Sequence, residues 1–174
     1  GEYIARIDAD DIAGKERLEI QVAYMDQHPE IDICGLKVDM FGESTWEWNV
    51  YTDPAFLSCA CLFYTPFVHP TIMMRAASLR KHQLEYNKDF FYTEDYEFFE
   101  RASHVLQFTN LEIPGTYFYR YLSTNATNVG GNQGLQLQNK VMGAAFERWG
   151  LHFSKDEIRI LSPNTYPHAL SVDE

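Results

Sequence analysis

The chain has 174 residues, enough for one domain of ordinary size, and its 45% apolar and 15% aromatic content supplies a sizeable core and excludes a disordered segment. Lys and Arg number 14 against 25 Asp and Glu, and the formal charge of -11 repels polyphosphate backbones, so no nucleic-acid partner is expected. By itself that charge says no more than that the surface is well solvated.

In chain order, Tyr3 to Ile7 is a β-prone run that ends in acidic residues, as expected of a strand delivering side chains at its carboxyl end. Lys15 to His28 has helical spacing, with Leu18, Val22 and Met25 on one face, Asp11 as the expected N-cap and Pro29 as the stop. Ile31 to Phe41 reads as one buried strand closed by Gly42. Trp46 to Tyr51 alternates like an edge strand. Pro54 to Phe63 fits a buried helix better than a strand, Val68 to Met74 is strand-like, and Arg75 to Leu84 is a short helix. Glu94 to Val105 is helical with Phe98, Ala102 and Val105 inward, and Leu106 to Tyr121 is strand broken at Pro114-Gly115. A Gly- and Asn-rich turn or loop is expected over Asn125 to Gly134, then a helix over Gln136 to Trp149 with Gly150 just past its end, a charged turn at Lys155-Asp156-Glu157 and a frayed terminus. Strands and helices interleave, so the class is α/β.

Cys34, Cys59 and Cys61 are too few for a disulfide framework and lack a second ligand pair for zinc; buried thiols in a reducing compartment are expected. The longest apolar stretch, Ala55 to Tyr64, falls short of the ~20 residues a bilayer span needs, and no apolar leader stands at Gly1. A cytoplasmic protein is expected, with peripheral contact at the inner face of a membrane compatible with it.

The chemistry concentrates at Asp8-Ala9-Asp10-Asp11. Side chains alternate along a strand, so Asp8 and Asp10 share a side, with Ile4 and Arg6, if the chain stays extended. Two carboxylates so spaced suit a hard cation, Mg²⁺ or Mn²⁺, with positions left for phosphate oxygens. Capping of the following helix explains one or both of Asp10 and Asp11 and leaves Asp8 without a reason. The Asp-x-Asp of phosphohydrolases normally runs on to Thr, whereas Asp11-Ile12 follows here.

Residues Gly1 to Asp11, with Arg17-Leu18-Glu19, Gln21 and His28-Pro29-Glu30-Ile31-Asp32 up to Gly35, resemble the Asp-x-Asp segment of family 2 glycosyltransferases, which have the GT-A fold. The resemblance implies a partial GT-A, Rossmann-like mixed sheet flanked by helices. It implies that Asp8 helps hold the nucleotide, that Asp10 binds the cation (Mn²⁺ or Mg²⁺) on the diphosphate with Asp8 beside it, and that Arg6 contacts substrate. Lys15 stands where the family often has Pro, which touches only the helix start.

Glu94-Asp95 opens a helix after Phe90-Phe91-Tyr92-Thr93, where acidic residues also serve the helix dipole. Thr93 to Phe98 resembles the family's Glu-Asp motif, which implies Asp95 as the general base and Glu94 as an acceptor contact. A sugar hydroxyl needs such a base, and aromatic neighbours raise its pKa toward working pH. Phe67-Val68-His69-Pro70-Thr71 resembles the strand that passes the acceptor pocket, and Tyr119-Arg120 the segment before a loop that closes on the diphosphate; His69 and Arg120 are therefore further candidate substrate-binding residues. The processive signature Gln-x-x-Arg-Trp is absent, which favours addition of single sugars.

The function implied is inverting, metal-dependent transfer of a sugar from a nucleotide-diphosphate sugar to a hydroxyl of a carbohydrate or lipid-linked acceptor, in polysaccharide, lipopolysaccharide or glycan synthesis. Residues 1–150 would be the catalytic portion and 151–174 a C-terminal extension. The family's amino-terminal βαβ units, which precede the strand of Asp8 and bind the nucleobase, have no counterpart here. A fragment is therefore expected, with Tyr3 to Ile7 exposed at an edge and compensated by self-association or strand rearrangement. The alternative is an inactive fragment acting only as a folding or interaction module.

Overall fold

The structure, a computed structural model, describes residues 1–43, 45, 48–125 and 131–162. Among those residues are seven strands: β1 (Tyr3–Ala5), β2 (Ile12–Ala13), β3 (Ile33–Leu36), β4 (Asp39–Gly42), β5 (Met73–Arg75), β6 (Phe108–Leu111) and β7 (Tyr117–Tyr121). Six helices accompany them: α1 (Arg17–Gln27), α2 (Pro54–Ala60), α3 (Ala76–Lys81), α4 (Glu94–Ala102), α5 (Gly131–Arg148) and α6 (Lys155–Leu161). The strands form two sheets, β1-β5-β3-β6 and β2-β7-β4. In the first, β5 is antiparallel to both neighbours and β3 runs parallel to β6, with Ile33 opposite Phe108. In the second, β2 is antiparallel and β4 parallel to β7. The mixed α/β class expected from the sequence is what the structure shows.

Side-chain alternation sends successive residues of the first sheet to opposite faces, and both faces are buried. Ile33 and Met74 join one core with Leu57, Phe98, Phe99 and Phe108; Cys34 and Met73 join another with Met25, Leu36, Leu111 and Tyr117. The β3 strand is therefore an unbroken apolar run, and all four of its residues are buried. A third, smaller cluster of Phe90, Tyr96 and Val141 seats α5 on α4, and Arg148 reinforces it with an ion pair to the buried Glu100.

Several boundaries differ from the sequence expectations. Ile31 to Phe41 is two strands, because the chain leaves one sheet at Leu36 and enters the other at Asp39. Among the described residues β1 lies at a sheet edge and ends at Ala5, so the chain is no longer extended at the aspartates. A 3-10 turn, His69–Thr71, replaces the first half of the strand expected from Val68. Of the expected edge strand Trp46 to Tyr51, Trp46 and Glu47 lie outside the described residues, and Trp48 makes a single bridge to Val38. Residues 126–130 of the expected Asn125 to Gly134 loop also lie outside them, and Gly131 already belongs to α5. Gly150 has the left-handed φ of 72° expected just past that helix. Lys155-Asp156-Glu157 is not a turn but the start of α6, where Ser154 and Glu157 cap each other reciprocally; the expected frayed end lies outside the described residues.

Burial also corrects two helix faces and one thiol. On α1 the buried residues are Arg17, Gln21 and Met25, whereas Leu18 is exposed; Val105, beyond the end of α4, is exposed too. Cys34 and Cys61 are buried and free, but Cys59 is exposed.

Candidate active site

The first acidic cluster sits where β1 gives way to a turn. The Asp11 amide donates to the Asp8 carbonyl at 3.3 Å, closing a turn over Ala9 and Asp10. Strand parity therefore does not bring Asp8 and Asp10 together; a turn does. Arg6 Nη1 lies 2.8 Å from Asp8 Oδ1 in an ion pair. The exposed Asp10 carboxylate takes no hydrogen bond or ion pair among the described residues.

Asp11 is not the cap of α1. The N-cap position belongs to Glu16, which makes no side-chain capping bond. The Asp11 carboxylate instead reaches β7, accepting from the Tyr117 hydroxyl at 2.7 Å and from the Arg120 amide at 2.7 Å. Burial raises its pKa, opposed by those two donors. Arg120 Nε donates to the Asp10 carbonyl at 2.9 Å, and its guanidinium lies 4.5 Å over the Phe41 ring.

Beneath the turn lies a polar support. Arg17, 2% exposed, donates to the carbonyls of Arg6 (2.6 Å) and Pro70 (3.1 Å) and to Gln21 (3.1 Å). Gln21 in turn donates to the carbonyls of Cys34 and Thr71, both at 2.9 Å. These bonds tie backbone oxygens of the segment after β1, the 3-10 turn and β3 to one helix.

The second cluster opens α4. Thr93 occupies the N-cap position without a side-chain cap, its hydroxyl donating to the Phe90 carbonyl instead. Asp95 Oδ1 accepts from the Tyr96 amide at 2.7 Å. Burial is the main reason its pKa is raised to about 6; Glu94 adds to the rise, while the Tyr96 amide and Arg6 oppose it. Glu94 Oε2 is buried without a hydrogen-bond partner among the described residues. Tyr92, just before, has a φ of 74°, a strained conformation for a residue with a side chain. His69 Nε2 lies 2.8 Å from the Tyr86 hydroxyl; burial, then Arg6, lowers its pKa to about 3, so the ring is neutral at physiological pH.

All seven residues singled out in the sequence, Arg6, Asp8, Asp10, His69, Glu94, Asp95 and Arg120, line one cleft of about 660 Å³. Phe63, Tyr64, Tyr92, Trp48 and Tyr119 line it as well. Sequence reasoning missed Tyr117 and Arg17, which hold the acidic turn from outside; the tyrosine alternation Tyr117-x-Tyr119-x-Tyr121 marked a strand but not its partner.

Among the described residues no group of three or more His, Cys, Asp or Glu side chains forms a metal cage. Asp10, with its oxygens open to the cleft, and Asp8 fit the other arrangement, in which one or two carboxylates hold Mg²⁺ or Mn²⁺ and phosphate and water complete the shell.

Comparison with known proteins agrees with this geometry. The family model described as Glycosyl transferase family 2 matches residues 1–105. An uncharacterized glycosyltransferase of Haemophilus influenzae is 33% identical over 116 residues, covering 60% of this chain and 36% of that protein. The glycosyltransferase EpsE of Bacillus subtilis is 38% identical over 84 residues, 46% of this chain and 29% of that one. The chain thus spans about a third of the length of these curated relatives. The crystal structure of S. aureus TarS 1-349 in complex with UDP-GlcNAc superposes with a TM-score of 0.66 at 14% identity, covering 95% of this chain and 48% of TarS 1-349. That likeness shows the fold, which is part of a GT-A domain.

Proposed function

Because the chain belongs to glycosyl transferase family 2, we propose that it carries the donor-diphosphate and acceptor sides of an inverting, metal-dependent transferase that moves a sugar from a nucleotide-diphosphate sugar to an acceptor hydroxyl in polysaccharide, lipopolysaccharide or glycan synthesis. The observation that supports this reading is convergence. Two carboxylate pairs separated by more than eighty positions, with a guanidinium and a neutral imidazole, face a single cleft. A nucleotide-sugar donor is in keeping with TarS, which was solved with UDP-GlcNAc and with UDP.

Each side chain has a task that its surroundings suit. Asp95, in a dry niche, accepts the proton of the attacking hydroxyl; its Oδ1 is held by the Tyr96 amide, which orients the carboxylate. Glu94 offers a buried, unpartnered oxygen to a neighbouring hydroxyl of the acceptor. His69, uncharged, hydrogen-bonds substrate without competing for the base's proton. Arg6 stands between the two carboxylate pairs and stabilises negative charge at both. Arg120, beside the acidic turn, adds positive charge near the leaving diphosphate. Mn²⁺ or Mg²⁺, held by Asp10 with Asp8, would neutralise charge on that diphosphate.

Titration of the protein with Mn²⁺ and UDP tests the reading. Binding that Asp10→Asn abolishes is the expected result. Binding indifferent to Asp10 defeats the metal assignment, and no binding at all favours an inactive fragment that serves as a folding or interaction module.

A further inference from the structure

The acidic turn has few bonds of its own. Within it, the Asp11 amide to the Asp8 carbonyl is the one backbone bond. The remaining constraints come from elsewhere in the chain, from Tyr117, Arg17 and Arg120. The Tyr117 side chain is fully buried; its hydroxyl donates to Asp11 Oδ2 at 2.7 Å and stands 3.4 Å from the Asp8 amide, which donates to it. Its ring lies 4.7 Å beneath the Arg17 guanidinium, the group that also grips the Arg6 carbonyl. The second Asp11 oxygen accepts the Arg120 amide, and the Arg120 side chain takes the Asp10 carbonyl. Positions 6, 8, 10 and 11 are thus each fixed through a backbone atom or, for Asp11, its carboxylate, while the Asp10 carboxylate is left to face the cleft.

We propose that Asp11 and Tyr117 are positioning residues, which lock the Asp8–Asp10 turn in the one shape that presents the Asp10 carboxylate to a cation-bound diphosphate. Tyr117 lies outside the cleft lining, and both carboxylate oxygens of Asp11 are taken by β7. This rests on the donor-site reading above. A loose carboxylate must be ordered when the ligand arrives, and that ordering weakens binding; a turn already held by a tyrosine and a strand backbone avoids the loss. Asp11, read from sequence as the cap of α1, is the residue through which β7 acts on the turn.

The test uses Mn²⁺ with inorganic pyrophosphate, which probes the diphosphate site without a nucleobase, in the intact chain. Tyr117→Phe keeps the ring under Arg17 and removes only the hydroxyl; it is expected to weaken Mn²⁺-pyrophosphate binding by about tenfold. Asp11→Asn, which loses acceptor capacity at one of its two bonds, should weaken it by a similar factor. Tyr3→Phe is the control, since it removes a tyrosine-to-carboxylate bond, to Asp26, remote from the cleft; its binding should match wild type. Hydrogen exchange of the Asp8 and Asp11 amides should quicken in Tyr117→Phe and stay unchanged in Tyr3→Phe. Wild-type binding that depends on Asp10 but is unaltered by both Tyr117→Phe and Asp11→Asn overturns the positioning role and leaves the donor site standing. Equal weakening by Tyr3→Phe overturns it too, because the loss would then follow from general stability. Pyrophosphate binding that ignores Asp10 removes the donor site and the positioning role with it.

Discussion

The two ends of the cleft are built from opposite materials. The acidic turn is exposed and held by polar bonds from Arg17, Tyr117 and Arg120, whereas Asp95 is desolvated at the start of α4, in a cleft also lined by Phe63, Tyr64, Phe67, Tyr92 and Tyr96. The difference follows from the charge each must carry. A carboxylate meant to meet a cation has to remain ionised and reachable, which water and hydrogen bonds allow. A carboxylate meant to take a proton gains from a dry place, where ionisation is costly and the pKa climbs toward the working range.

Removing the base should produce the largest effect. Asp95→Asn is expected to lower the transfer rate by roughly 10²- to 10⁴-fold, with Mn²⁺-dependent nucleotide binding retained; a rate within a few-fold of wild type would mean that the dry end does no proton chemistry. Next, Asp10→Asn should weaken Mn²⁺-dependent UDP binding by about a hundredfold or more while the fold keeps its melting temperature. Loss of rate without loss of binding would erase the division of labour between the ends.

Stability should register the contrast in materials. Gln21→Leu removes the side-chain donor to the buried Cys34 and Thr71 carbonyls and the acceptor of Arg17 Nε, and should cost about 2 to 3 kcal/mol by chemical denaturation. Phe99→Leu, on the apolar side, should cost only about 1 kcal/mol, because a smaller apolar residue refills most of the space. The reverse order would show that packing, not hydrogen bonding, supports the acidic turn.

The last test is a pH signature. Only ionised Asp95 accepts a proton, so the rate should rise through about pH 6 and then level off. The folded pKa is raised above the unfolded value of ~3.9, so the stability this group contributes is full below that value and lost as pH rises through about 6. Asp95→Asn, which cannot ionise, should therefore be more stable than wild type near pH 8, by about 3 kcal/mol, with the advantage gone below about pH 4. A constant difference across that range would place Asp95 in water rather than in a dry niche.

Local features were the legible ones. The order of most elements, the Pro-led start of α2 and the turn at Pro114-Gly115 follow from neighbouring residues, whereas Glu94-Asp95 is singled out only by its resemblance to a family motif. What was misread depends on partners far along the chain. Asp11 looks like a helix cap because Arg17 to Gln27 follows it, yet its donors are 106 and 109 positions away. Leu18 looks like a core residue by periodicity, but the turn and the 3-10 segment required donors on that helix, so Arg17 and Gln21 took the interior. Ile31 to Phe41 divides at Lys37-Val38, where neither Gly nor Pro stands, and Gly35 sits within β3; the division follows where β6 and β7 lie.

The origin of those donors has a consequence in time. At ~5 to 20 residues per second, a ribosome finishes Asp11 on the order of 5 to 20 seconds before it adds Tyr117 and Arg120. The stretch matched by the family, residues 1–105, is complete before β7 exists. A nascent chain therefore displays the matched stretch while its aspartates still lack the strand whose side chain and backbone bond to them, and those bonds form only when that late strand docks.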